Sequence, residues 1–146
     1  MTNAVLAGSL TNLTTGDSER ITILVVDDNT SGAQTLSMLL DLDGYDVSVV
    51  HCGEDAIEHV DRSRPAMILL DIGLPDMSGY DVARRIRALP HGELPFIMAV
   101  TGWGSEQDQQ RAREAGCDLH MTKPVNIEHL ERVLKACASQ RSPDAS

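Results

Sequence analysis

Three aspartates, a threonine and a lysine stand directly behind short apolar runs of this chain. Asp27 and Asp28 follow residues 21–26, Asp71 follows residues 66–70, Thr101 follows residues 96–100, and Thr122, Lys123 and Pro124 follow residues 118–121. If the first run forms a central strand flanked by the third, the three carboxylates converge at one edge. Three carboxylates in a partly dehydrated cleft repel one another and need a cation. An oxygen-only donor set, with no His or Cys nearby, selects a hard ion. Mg²⁺ fits best because it takes one or two carboxylates and keeps waters and a phosphoryl oxygen, and Mn²⁺ is a workable substitute. Lys123 adds a flexible point charge that reaches a carboxylate or a phosphate, and Thr101 offers a hydroxyl across the cleft. An aspartate so placed can attack phosphorus and give an acyl phosphate, while the cation and the ammonium stabilise the equatorial oxygens during in-line transfer. Turning Asp71 into a phospho-aspartate would add a dianion that draws Thr101 and Lys123, a local pull of the kind that biases a bistable loop.

These residues need elements to position them. The apolar runs at 21–26, 47–50, 66–70 and 96–100 include continuous stretches where a half-exposed strand would alternate. Continuity means burial on both faces, and so a parallel sheet covered by helices. Residues 118–121 form a weaker fifth run. Segments of helical period lie between the runs: residues 31–42 with Ala33, Leu36, Leu39 and Leu40, residues 78–89 with Val82, Ala83 and Ile86, and residues 126–138 with Ile127, Leu130, Leu134 and Cys137. Ser78 with Asp81, Ser105 with Asp108, and Asn126 supply N-caps, and acids in the first turns oppose the positive dipole end. Gly44, Gly92 and Gly116 mark expected helix ends. Strand then helix, five times over, is the pattern of a doubly wound α/β domain with helices on both faces, whose ligands bind beyond the carboxyl ends of the strands.

The 146 residues suffice for one domain with a core and leave no room for a second of about 100 residues. Hydrophobic residues make up 42% and aromatics 3%, which is too apolar for a disordered chain and gives an aliphatic core. Lys and Arg number 12 against 22 Asp and Glu, for a formal net charge of -10, and only Lys123 and Lys135 are lysines. Without a basic cluster, phosphate neutralisation on nucleic acid or anionic lipid is not expected. Cys52, Cys117 and Cys137 form no C-x-x-C and read as small apolar fillers in a reducing compartment. No Lys or Arg precedes Arg20, so the chain lacks the basic flank of a secretory signal, and no apolar run approaches the roughly 20 residues of a membrane span. A cytoplasmic protein is expected. Residues 1–19 read as a flexible arm, 20–140 as the folded domain and 141–146 as a flexible tail.

Val25-Val26-Asp27-Asp28-Asn29, Leu69-Leu70-Asp71-Ile72-Gly73-Leu74-Pro75-Asp76-Met77-Ser78-Gly79, Val100-Thr101-Gly102 and Thr122-Lys123-Pro124, in that order and spacing, resemble the receiver domain of bacterial two-component response regulators. The resemblance covers about residues 20–140 and fits either a single-domain regulator or a receiver of a hybrid histidine kinase. Each piece alone is weak, whereas the ordered set at strand ends is specific. The resemblance implies a flavodoxin-like (βα)5 fold with strand order 2-1-3-4-5. It implies Asp71 as phosphoacceptor, Asp27 and Asp28 as the acidic pair that holds Mg²⁺ with Asp71, and the backbone carbonyl of Gly73 as a further metal ligand. Thr101 matches the switch hydroxyl and Lys123 the phosphate-binding lysine, followed by a cis-prolyl bond at Pro124. The donor would be a phosphohistidine on a histidine kinase or histidine phosphotransfer protein. The domain would catalyse only that transfer and its own slow dephosphorylation, with output by protein contact or onward relay. With only about ten residues beyond the last helical segment, no DNA-binding or catalytic output domain is expected to follow.

One position departs from that family's pattern. The residue three before the lysine is usually Tyr or Phe; here it is His120, smaller and chargeable, which reads either as a modified switch coupling Thr101 to the surface of the last two helices and the last strand or as a partly exposed strand residue with no special task. Trp103, two residues after Thr101, lies where bulk could shield a phosphoryl group from water. Taken singly, an Asp-Asp pair, a threonine or a lysine behind a strand is more often turn or surface chemistry. Their joint occurrence reverses those odds. His51, His59, His91 and His129 share no metal-site spacing and read as surface residues. The alternative is a pseudo-receiver, a phosphorylation-independent interaction module, against which the intact Asp27, Asp28, Asp71, Thr101 and Lys123 argue. A flavodoxin-like cofactor binder would need a phosphate-cradling loop where Asp27 and Asp28 would repel the phosphate.

Overall fold

The computed structural model describes residues 20–102 and 104–141. Five parallel strands, β1 (Thr22–Val26), β2 (Asp46–Val50), β3 (Met67–Asp71), β4 (Phe96–Thr101) and β5 (Leu119–Thr122), form one sheet in the order β2-β1-β3-β4-β5. They alternate with α1 (Thr30–Leu42), α2 (Gly53–Ser63), α3 (Gly79–Arg87), α4 (Glu106–Ala115) and α5 (Ile127–Arg141). Fold class and strand order match expectation. Trp103, the expected arm at 1–19 and residues 142–146 of the expected tail lie outside the described residues.

The period of two along each strand divides the core between the two faces of the sheet. Leu24, Val26, Ile68, Leu70, Ile97 and Ala99 pack with Ile57 and Val60 of α2, Val82 and Ile86 of α3 and Ala112 of α4. Ile23, Val25, Met67, Leu69, Met98 and Val100 pack on the other face with Ala33 and Leu40 of α1 and Leu130 and Leu134 of α5. Burial on both faces is why these runs read as continuous, and each large aliphatic side chain so buried contributes roughly 2 kcal/mol.

Helix ends follow local chemistry, with two corrections. Asn29 caps α1, its Oδ1 accepting from Gly32 N at 3.2 Å, so the helix starts at Thr30 and not at Ser31. Ser78 caps α3, Ser105 caps α4, and Asn126 accepts from His129 N at 2.9 Å. Gly44 and Gly116, at φ of 97° and 104°, take the left-handed turns after α1 and α4. Gly92 does not end a helix. Helix α3 stops at Arg87, and the left-handed residue beyond it is His91. Gly92 is needed because a Cβ there would run into the carbonyl of Ile86.

Tertiary ties hold the connections on either end of the sheet. Behind β3 the chain folds back on itself: Gly79 N donates to Ile72 O at 2.9 Å, and a Cβ on Gly79 would lie 2.6 Å from Asp71 O. Asp76 of the same loop accepts from Gly53 N at 2.8 Å and Glu54 N at 3.0 Å, supplying α2 with the cap that Cys52 does not. At the opposite end Arg87 donates to the carbonyls of Gly116, Gly92 and Pro95 and to Asp118 Oδ2, which also accepts from Ile97 N. The charged, half-buried guanidinium thereby bonds three loop carbonyls and one carboxylate at once.

Candidate functional site

Strand register brings the site together. Val26 pairs with Leu70, so Asp27 and Asp71 leave neighbouring strands side by side. Asp71 pairs with Val100, and Thr101 pairs with Thr122, which puts Thr101 and Lys123 on the other flank. Lys123 N donates to Thr101 O at 2.7 Å, and the Lys123–Pro124 bond is cis.

Each of Asp27, Asp28 and Asp71 offers a carboxylate oxygen, and these atoms lie within 4.8 Å of one another. Asp71 and Thr101 are buried, Asp27 is half-buried and Asp28 is exposed, so the cluster opens to solvent on one side. The two oxygens of Asp71 have different neighbours: Oδ1 accepts from Gly73 N at 3.0 Å, and Oδ2 takes Lys123 Nζ at 3.0 Å. Lys123 Nζ also stands 3.7 Å from Asp27 Oδ2. Asp27 Oδ1 accepts from Asn29 N at 2.9 Å, which turns the chain into α1.

The electrostatics match an acidic cleft short of positive charge. Burial pushes the Asp27 carboxyl above its usual range; the Asn29 N–H opposes this, and proximity to Asp71 adds to it. Burial disfavours the charge on Lys123, but its bond to Asp71 and the charges of Asp71, Asp27 and Asp28 outweigh that and hold the ammonium above the ordinary lysine range. An oxygen-only set with one lysine fits a hard divalent cation and not a soft one.

Asp27, Asp28, Asp71, Thr101, Lys123 and Gly73 therefore gather at one sheet edge, and a cis bond stands at Pro124. His120 lies on β5 opposite Ala99, and its Nε2 is buried without a hydrogen-bond partner among the described residues. Two contributors went unseen in the sequence. His51, read as a plain surface residue, sets Nδ1 2.9 Å from the Asp27 carbonyl; because a carbonyl only accepts, the proton sits on Nδ1. Asp76 holds the loop behind Asp71 to α2, and in turn the N–H groups of Gly53 and Glu54 keep its carboxyl below the usual range. No local signal marks either residue, since each acts on a partner more than twenty positions away.

Fold and site define a doubly wound α/β domain with an acidic, lysine-bearing cleft at the carboxyl ends of its strands. The family model of the response regulator receiver domain matches residues 23–135. An uncharacterized 14.6 kDa protein of Leptolyngbya boryana is 32% identical over 123 residues, which cover 84% of this chain and 94% of that protein. The sensory transduction protein RegX3 of Mycobacterium tuberculosis is 36% identical over 124 residues, 85% of this chain; the chain spans about half, 53%, of that longer regulator. Among solved structures, the receiver domain of a sensor histidine kinase from Pseudomonas aeruginosa, with a magnesium ion coordinated in its active site cleft, aligns with a TM-score of 0.75 at 31% identity over 82% of this chain and 98% of that one. The chain belongs to the response regulator receiver domain family of two-component systems. No described helix is long and apolar enough to cross a membrane.

Proposed function

We propose that this receiver domain is a phosphoacceptor switch, taking a phosphoryl group from a phosphohistidine onto Asp71 in a Mg²⁺-dependent reaction. The observation that carries the reading is the buried Asp71 carboxylate, with one oxygen fixed by Gly73 N and the other facing Lys123 beside two more acids. Asp27, Asp28, Asp71 and the Gly73 carbonyl would hold the ion, which when bound supplies charge neutralisation for the incoming phosphoryl group. An Asp71 oxygen attacks phosphorus in line, the bond from phosphorus to the donor imidazole nitrogen breaks, and the imidazole leaves with its electron pair. Lys123 transfers its ammonium contact from Asp71 Oδ2 to a phosphoryl oxygen, and Thr101 turns its hydroxyl toward another. That movement is the switch, with His120 on β5 as the neighbour that passes it on. Hydrolysis by water restores the carboxylate and releases phosphate.

The donor's approach has a natural path. A groove of about 750 Å³ opens beside Asp27 and Lys123, walled by Leu36 and Leu39 of α1 and by Pro124 and Val125. Such a wall suits a helix of a histidine kinase or histidine phosphotransfer protein presenting its phosphohistidine. Output then runs through protein contact or onward relay. The acidic charge of -10 argues for protein partners over nucleic acid; cysteines that form no C-x-x-C suit a cytoplasmic setting.

Incubating the protein with a small acyl phosphate and Mg²⁺, and comparing wild type with Asp71→Ala by intact mass, tests the reading. One added phosphoryl group on wild type alone is expected. An unlabelled wild type, which is the outcome a pseudo-receiver would give, or equal labelling of the variant would reject it.

A further inference from the structure

The outer face of α1 is apolar where a surface helix is ordinarily polar. Met38, Leu39 and Leu42 are 67%, 42% and 81% exposed. With Thr35 they follow the i, i+3, i+4, i+7 spacing of a single stripe. That stripe runs at its upper end into the groove lined by Thr35, Leu36 and Leu39. Leu94, the remaining exposed large hydrophobic among the described residues, belongs to the loop before β4.

The chain enters the domain at the foot of this stripe. Arg20 donates through Nε to Gly44 O and through Nη2 to Tyr45 O, each at 3.1 Å, and stands 3.8 Å from Asp41 Oδ1, so it is pinned to the C-terminal end of α1. The residues before it contain no Lys or Arg, and their only acids are Asp17 and Glu19, next to the anchor. Their aliphatic residues include Leu6, Leu10 and Leu13, spaced i, i+4, i+7, which is the period of the stripe. Length permits the contact: the seven steps from Leu13 to Arg20 reach up to about 23 Å, while Thr35 to Leu42 spans about 10 Å of helix. An uncharged, leucine-bearing segment tethered at one end of an apolar stripe reaches a high local concentration there without a partner having to be recruited.

We propose that residues 5–13 dock along α1, with Leu10 and Leu13 against Met38, Leu39 and Leu42. The docking itself stands on the stripe and the anchor; its consequence, that the segment contests the face a phosphohistidine donor uses, rests on the function proposed above.

The test uses the full chain with ¹³C-labelled methionine and leucine methyls. Expected are nuclear Overhauser contacts from the Leu10 and Leu13 methyls to the Met38 Cε methyl. In Leu10→Asp with Leu13→Asp, the Met38 resonance moves while those of buried Met67 and Met98 stay. A Met38 resonance indifferent to the double variant, or one that follows protein concentration and not the variant, would overturn the docking; the latter would mean a second copy covers the stripe. Transfer from a histidine phosphotransfer domain charged with phosphoramidate should run several-fold faster on the double variant, with labelling by a small acyl phosphate unchanged. If Met38 responds and the transfer rate does not, docking stands and the competition is refuted. If neither donor labels wild type, the proposed function fails while the Met38 result still decides the docking.

Discussion

Lys123 reaches from beyond the end of β5, past β4, to set its Nζ 3.0 Å from Asp71 Oδ2 at the end of β3. The contact bridges 52 positions of sequence and is the one positive charge placed among the three carboxylates of the described site. Removing it leaves the fold's two cores untouched but strips the site of a group that follows charge from Asp71 to phosphorus. Lys123→Met is therefore expected to retain cooperative unfolding and lose phosphorylation by about 100-fold or more, the scale of losing one preorganised charge-stabilising group. Labelling rates with a small acyl phosphate, beside a thermal melt, check both halves.

Metal binding should show as stability. With burial raising the Asp27 carboxyl and Asp71 nearby, the site without a cation is under repulsion. Mg²⁺ at a hundredfold over its Kd is expected to raise wild-type stability by about 2.7 kcal/mol. Chelator reverses the gain, and Asp27→Ala abolishes it. Melts with and without MgCl₂ measure this directly; an equal Mg²⁺ response in Asp27→Ala would place the ion elsewhere.

His120 carries a buried Nε2 with no hydrogen-bond partner among the described residues. An unsatisfied buried nitrogen costs on the order of 1–3 kcal/mol, so His120→Phe should gain about 1 kcal/mol by relieving it without changing the strand. Urea unfolding midpoints report the gain. A loss of stability in this variant would contradict the expected gain from removing the buried nitrogen.

Burial pushes the Cys117 thiol up to about 11; Arg87 opposes the shift and Asp118 adds to it. The unfolded thiol ionises first as pH rises through its ordinary value of 9.0, the folded one only near 11. Between those values the folded chain binds the extra proton, so stability falls with rising pH across that window. Wild type should lose stability there more steeply than Cys117→Ala. Below it, alkylation of Cys117 at pH 8 should require unfolding, because only about one native thiol in a thousand is then ionised.

Residues whose role is set by strand order were legible in the sequence. Asp27, Asp71, Thr101 and Lys123 each follow an apolar run, and a parallel sheet collects whatever follows its strands at one edge. The caps at Ser78 and Ser105 were legible too, because a cap acts within a turn of itself. What could not be read are ties between distant loops. Asp76 caps a helix more than twenty residues upstream, and Arg87 gathers carbonyls from two later loops. Gly92 differs for another reason: its smallness serves a close approach of the loop to the backbone of Ile86 and Arg87, and not a helix end. The apolar stripe on α1 was partly hidden as well, since Leu36, Leu39 and Leu40 read as one core face, while the fold buries Leu40 and leaves Leu39 42% exposed.

The central claim is that the phosphoryl group sits on the Asp71 carboxylate as an acyl phosphate. Borohydride reduces an acyl phosphate to the alcohol, turning aspartate into homoserine, so peptide mapping after phosphorylation in Mg²⁺ and reduction reads the acceptor directly. Homoserine at position 71 in wild type, absent when Mg²⁺ is withheld, is the expected result. Homoserine at Asp27, Asp28 or another acid, or none at any position in a protein that has gained phosphoryl mass, would contradict it.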